Sequence, residues 1–227
     1  MKTFLITISI FLFSGFSGFF AFAQEPMKVP SDYKIVVKES FGHERALKLF
    51  EIYPSGQWLI AKKGHPGKTL KYIANHKIAV KNVCPITKAI LKTDNFESFI
   101  IEFDVEQCGR DYDCRDFSVI FNYNDEDNYS FIHFASIADE ATHGIFTFDS
   151  GKLTMLTKED LAQPVSWGVL QWHAVRIEAG VEDNKVRVFF DNKLLWELDN
   201  FGKISGCIGF GAPDGAAKID NLKIWAK

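Results

Sequence analysis

The 227 residues carry 26 Lys and Arg against 29 Asp and Glu, for a net charge of −3, and 47% of them are hydrophobic. That balance excludes a disordered chain. With no basic run longer than two residues, it also excludes a nucleic-acid surface that binds by releasing counterions. The length suits one sizeable domain with one core.

In chain order, the first feature is apolar. Phe is overused, with 22 copies, and seven of them fall within the first 23 residues. The stretch from Thr3 to Phe22 follows a single Lys2, carries no charge and closes on Ala21-Phe22-Ala23. A charged start, an apolar run and a small-x-small close predict a secretory signal peptide over residues 1–23, cleaved before Gln24. The bland alternative is an uncleaved anchor. No Cys stands directly after the site, where Gln24 follows, and no other apolar run is long enough to span a bilayer. The expected mature protein is secreted or periplasmic and free of the membrane.

A linker over residues 24–31, containing Pro26 and Pro30, opens one predicted domain over residues 32–227. Its pattern is period two almost throughout. Strands are predicted at 33–38, 46–53, 57–62, 69–73, 77–82, 89–92, 98–106, 117–123, 129–135, 144–148, 152–156, 172–178, 185–190, 193–198, 207–211 and 218–225. Turn signals such as Pro54-Ser55-Gly56, Pro66-Gly67, Ser150-Gly151 and Pro213-Asp214-Gly215 separate them. Only residues 158–162 read as a helical turn. Many short strands at close spacing predict an all-β fold, an antiparallel β-sandwich or jelly roll.

All four cysteines follow the export segment, in a compartment where thiols oxidise. Four Cys allow three connectivities. The expected arrangement staples Cys108 to Cys114 across a short polar loop and leaves Cys84 with Cys207, each bridge contributing about 2–4 kcal/mol. Zinc is the rival reading, but the spacing is poor for ligands.

Two segments show which faces are core. In residues 98–106, Phe99, Ile101, Phe103 and Val105 point one way, and Ile100, Glu102, Asp104 and Glu106 the other. The hairpin that turns at Glu126 is predicted to oppose Tyr123 to Tyr129, Phe121 to Phe131 and Val119 to His133. Tyr123, Tyr129 and His133 then share one side.

Motifs in order carry a resemblance. Tyr123-Asn124-Asp125-Glu126-Asp127-Asn128-Tyr129 with Ile132-His133-Phe134 resembles the "Y-x-D-E-x-N-Y…V-H-F" hairpin of secreted bacterial concanavalin A-like (laminin G-like) domains. Trp172-His173-Ala174-Val175-Arg176-Ile177 is similar to their "W-H-x-V-R-V" strand, and Val186–Asp191 to "I-x-V-Y-F-D". Gly206-Cys207-Ile208-Gly209-Phe210-Gly211 with Ile219-Asp220-Asn221-Leu222 resembles "G-x-I-G-x-G…F-D-N-V". The likeness covers roughly residues 52–227 and implies a concanavalin A-like jelly roll. Its neighbourhood holds glycan-binding modules, family 16 glycoside hydrolases, the 3-keto-disaccharide hydrolase family and many members with no known activity. A glycan or polysaccharide is therefore the implied partner.

Glu102-Phe103-Asp104-Val105-Glu106 is similar to the E-x-D-x-E motif of family 16, which implies a nucleophile at Glu102 and an acid/base at Glu106. Alternation sets the outer Cα atoms about 13 Å apart, whereas a retaining mechanism needs the carboxyls roughly 5–5.5 Å apart. The alternative is an ordinary solvated strand face. Tyr123, Tyr129 and His133, with His143 from a loop, are the candidate sugar contacts, because aromatic rings stack on sugars and imidazole hydrogen-bonds hydroxyls. Packing is the competing role for each of the four. Trp58 and Trp167 are stacking platforms or core residues, and Trp172 is assigned to the core. No cofactor is required; the resemblance admits a structural Ca²⁺ near Asp220. The sequence reads as a carbohydrate-binding or carbohydrate-associated module, with a glycoside hydrolase and a structural envelope protein as the alternatives.

Overall fold

In the computed structural model, residues 27–54, 58–73, 85, 87–108, 115–139, 142–157, 163–182, 184–212 and 216–227 are described. The predicted strand at 77–82, the helical turn at 158–162 and the export segment lie outside them. Fifteen strands are found among the described residues: β1 (Lys34–Glu39), β2 (Phe50–Tyr53), β3 (Trp58–Gly64), β4 (Gly67–Tyr72), β5 (Thr87–Leu91), β6 (Phe99–Gln107), β7 (Asp116–Asp125), β8 (Asn128–Ala135), β9 (Gly144–Asp149), β10 (Lys152–Met155), β11 (Trp172–Ala179), β12 (Val186–Phe190), β13 (Lys193–Leu198), β14 (Cys207–Ala212) and β15 (Ala217–Ala226). The predicted strand at 46–53 is a strand only from Phe50; Glu44–Leu49 forms a 3-10 turn that buries Ala46.

Period-two sequences bury one face and must find a second sheet to bury it against. The first sheet runs β13-β12-β11-β6-β15-β4-β3, with β1 beside the far end of β15. The second runs β10-β9-β8-β7-β14-β5-β2. Every pairing is antiparallel. The chain is an all-β sandwich of two antiparallel sheets, as its alternation predicts. Among the described residues no helix is long and apolar enough to cross a membrane.

Phe99, Ile101, Phe103 and Val105 all point into the space between the sheets, as expected. They meet Phe117, Val119 and Phe121 of β7 and Phe210 of β14. Trp58 and Trp167 belong to this core, each donating its indole N–H, to Thr87 Oγ1 at 2.7 Å and to the Arg115 carbonyl at 3.0 Å. A separate apolar cluster covers the outer face of the second sheet: Ile90, Ile120, Tyr129, Phe131, Phe146 and Phe148. Four of these six, Ile90, Ile120, Phe131 and Phe146, stand next to a residue of the main core, so both faces of the second sheet are apolar.

The β7–β8 hairpin corrects the predicted register by one residue. Phe121 faces Ser130, Ile120 faces Phe131, and Ser118 faces His133. The cause is a bulge before the turn, where Asn122 takes a φ of 52° and the register shifts between Phe121 and Asp125. The extra residue returns Tyr123 to the face that carries Tyr129 and His133.

Candidate functional site

The outer face of the second sheet holds a groove of about 890 Å³. Alternation in β2 turns Phe50 and Ile52 inward, which leaves Glu51 and Tyr53 outward at one wall. In β5 the same rule turns the buried Lys88 and Ile90 toward the outer face and Ala89 and Leu91 into the main core. β14 lies between β5 and β7 and presents Gly209 and Gly211 on this side. A Cβ on Gly209 would lie 2.6 Å from the Ala89 carbonyl oxygen, so only glycine lets these strands lie this close. Tyr123 and the turn residues through Glu126 make the opposite wall.

The low floor lets Lys88 reach across β14. Its Nζ sits 2.8 Å from Glu126 Oε2 and 5.3 Å from the Tyr129 ring centroid. Tyr123 donates its hydroxyl to Glu126 Oε1 at 3.1 Å. Tyr53 hydrogen-bonds Glu51; that bond, then burial and the charges of Glu51 and Glu126, push its phenol up to about 12. Burial, then the Glu126 charge, raises the Tyr123 phenol as well. Both hydroxyls therefore stay protonated, each spending its proton on a carboxylate and keeping lone pairs for an incoming donor. Carboxylates, phenols, Asn95 and Asn124 around apolar Ile90 and two tyrosine rings can accept and donate to vicinal hydroxyls while a ring face stacks.

Of the four predicted sugar contacts only Tyr123 lines this groove. Tyr129 lies beneath it, 2% exposed, packed between Tyr123 at 5.9 Å and Phe148 at 4.9 Å. His133 is on the same face but buried, with Nε2 3.2 Å from Asp116 Oδ2. His143 is a core residue: Nδ1 accepts from the Ala135 N–H at 3.1 Å, and Nε2 donates to the Gln163 carbonyl at 2.9 Å. Glu51, Tyr53 and Lys88 carry no motif, and Glu126 belongs to the hairpin motif without a role assigned to it there. Alternation in β2 and β5 gives their direction, but only the sheet order shows that they meet.

Glu102, Asp104 and Glu106 lie on the other side of the molecule, on the outer face of the first sheet. Each is engaged from a neighbouring strand: Glu102 by Arg176, Glu106 by Lys218, and Asp104 by the Asn221 amide at 2.6 Å. Arg176 continues the chain of pairs to Glu178 at 2.8 Å, and Glu178 to Arg187 at 3.1 Å. Glu102 and Glu106 thus serve ion pairs, and Asp104 a hydrogen bond to an amide. Trp172, assigned to the core from sequence, is half-buried on this same outer face, because Val175 and Ile177 of its strand take the inward positions.

Asp220 is fully buried and accepts two backbone N–H groups, from His65 at 2.6 Å and Asn221 at 2.8 Å. Donors on both oxygens compete with a cation. Among the described residues no three His, Cys, Asp or Glu side chains converge. Asp220 thus anchors the β3–β4 hairpin. Addition of EDTA is accordingly expected to leave the thermal midpoint unchanged, and a fall reversed by Ca²⁺ would restore the calcium reading. Cys108 and Cys207 are free, half-buried thiols, and Cys114 and Cys84 lie outside the described residues. Burial above all pushes the Cys108 thiol up to about 11.

No protein-family model and no curated protein matches the chain. Solved structures match the fold. The carbohydrate-binding module CBM66 from Bacillus subtilis aligns with a TM-score of 0.53 at 14% identity, over 77% of this chain and 93% of that one. Domain 4 of AbnA, a GH43 extracellular arabinanase from Geobacillus stearothermophilus solved with arabinotriose, aligns at 0.54 and 13%, over 86% and 93%. A Bacillus subtilis protein of unknown function with a galectin-like fold aligns at 0.50 and 12%, over 86% and 99%. At these identities the likeness shows the architecture alone.

Proposed function

We propose that this chain is an exported carbohydrate-binding module that holds a neutral glycan in the groove on the outer face of its second sheet. The carrying observation is the pairing of Tyr53 and Tyr123 with Glu51 and Glu126 along an open groove of about 890 Å³. Carboxylates and phenols suit sugar hydroxyls, and their negative charge disfavours acidic sugars. The fold shared with a carbohydrate-binding module and an arabinanase domain supports the reading, and the signal-like segment at 1–23 supports export.

The test is a glycan array followed by calorimetry on the best neutral ligand. Glu126→Gln and Tyr123→Phe are each expected to weaken binding about tenfold or more, since a hydrogen bond to a charged group contributes about 1.5–3 kcal/mol. A folded wild-type protein that binds no glycan overturns the proposal. A second reading, glycan hydrolysis, has one observation in its favour: Glu51 and Glu126 line the same groove. Reducing ends released by the wild type and lost in both Glu51→Gln and Glu126→Gln would replace binding by cleavage.

A further inference from the structure

A second cleft, of about 460 Å³, opens on the first sheet's outer face at the end away from Glu102. One straight row of cross-strand partners crosses it: Leu59, Lys71, Lys218, Glu106 and Trp172, from β3, β4, β15, β6 and β11 in turn. Lys62 and Lys63 complete the rim. Among the described residues four lysines therefore face one carboxylate, Glu106, which is buried and already held by Lys218.

This row differs from the rest of the face. Elsewhere the charges are matched, Glu102 with Arg176 and Glu178 with Arg176 and Arg187. Here Lys71 stands directly opposite Lys218, an arrangement of like charges that costs stability unless an anion joins them. Among the described residues Lys62, Lys63 and Lys71 have no carboxylate partner. The chain as a whole is negative, at −3, so the local excess is not a sample of the average surface. Beside the cations stands an aromatic platform. Trp172 is half-buried, with His65 5.3 Å from its ring and Lys218 Nζ 5.9 Å above the ring centroid. An indole edge next to unpaired ammonium groups suits a ring that carries its own negative charge.

We propose that the Trp172–lysine cleft binds the carboxylate- or sulfate-bearing ring of an acidic polysaccharide. The ring lies against Trp172 and its anionic group takes the place between Lys71, Lys62 and Lys63 that no carboxylate of the described residues fills. This site is independent of the groove on the second sheet, which is rimmed by acids and suits neutral sugars. The two faces then hold chemically different glycans on opposite sides of one module.

Polygalacturonate, chondroitin sulfate, a neutral dextran and duplex DNA are to be titrated against the full mature chain. Binding of polygalacturonate or chondroitin sulfate is expected, with dextran silent at this cleft; the preferred polymer tells carboxylate from sulfate. Raising NaCl from about 0.1 to 1 M shortens the screening length from about 10 to 3 Å, and the affinity should fall several-fold. Lys62→Gln with Lys71→Gln, both on the surface, should weaken binding about tenfold with an unchanged thermal midpoint. Trp172→Ala should weaken it similarly, and Lys71→Arg should retain it. Tyr123→Phe in the groove should leave it intact, so failure here and failure of the neutral-glycan site are separable. Absence of binding to both acidic polymers, equal binding to DNA, or binding unmoved by the lysine pair overturns the proposal and leaves the lysines as guards of the β3 sheet edge.

Discussion

Truncation of Phe210 to alanine is expected to cost about 3–5 kcal/mol, the range for deleting a large buried aromatic. The residue is fully buried, and its ring centroid lies 5.2 Å from Phe103, 6.0 Å from Phe117 and 6.2 Å from Phe50. Phe103 belongs to the first sheet, and Phe117 and Phe50 to the second, so this one side chain ties both layers. Its neighbours Gly209 and Gly211 have no side chains to fill a void left beneath them. Urea unfolding measures the loss as a fall in midpoint with the slope retained. Should the alanine variant not fold, Phe210→Leu keeps most of the volume and is expected to lose less than half as much. A loss below about 1 kcal/mol for the alanine variant would contradict the packing of the sheets through Phe210.

The second large effect is a pH dependence set by His143. The imidazole is fully buried, 4.6 Å from the Trp196 ring centroid, with Nδ1 accepting from Ala135 and Nε2 donating to Gln163. A proton on Nδ1 would face the Ala135 N–H and break that bond. Burial pulls the folded pKa down from 6.5 to about 4. The unfolded chain therefore binds the proton first, and the stability associated with His143 is fully present above pH 6.5. It falls as pH drops toward 4, by about 3 kcal/mol over the interval, and levels off once the folded imidazole is also charged. Asparagine can keep an acceptor toward Ala135 but cannot take up a proton. The stability curve of His143→Asn should thus be flatter than the wild type between pH 6.5 and 4. Parallel curves would mean that His143 does not titrate as a buried neutral group.

How far the sequence reaches depends on the distance over which each feature is encoded. The inward set of β6 is local, four alternating residues, and its burial follows directly. Trp172 illustrates a local rule that was available but outweighed: the size of the indole suggests core, while period two from Val175 and Ile177 turns it out. The hairpin register fails for a local reason of another kind, a bulge at Asn122 that leaves no mark in the pattern of hydrophobic residues. The groove is a different matter. Glu51, Lys88, Glu126 and Gly209 come from β2, β5, the β7–β8 turn and β14, and only the strand order β7-β14-β5-β2 makes them neighbours. The motif-like acids of β6 drew the catalytic reading because they are close in sequence, and they lie on the opposite face.

Backbone amide shift mapping with a neutral oligosaccharide tests the central claim most directly, because it reports where the sugar sits without requiring a variant. The expected shifts concentrate on Glu51, Tyr53, Lys88, Ile90, Cys207 and the Tyr123–Glu126 turn, with the outer face of the first sheet undisturbed. Saturable shifts confined to the first sheet around Glu102 and Arg176, with the groove silent, would contradict it.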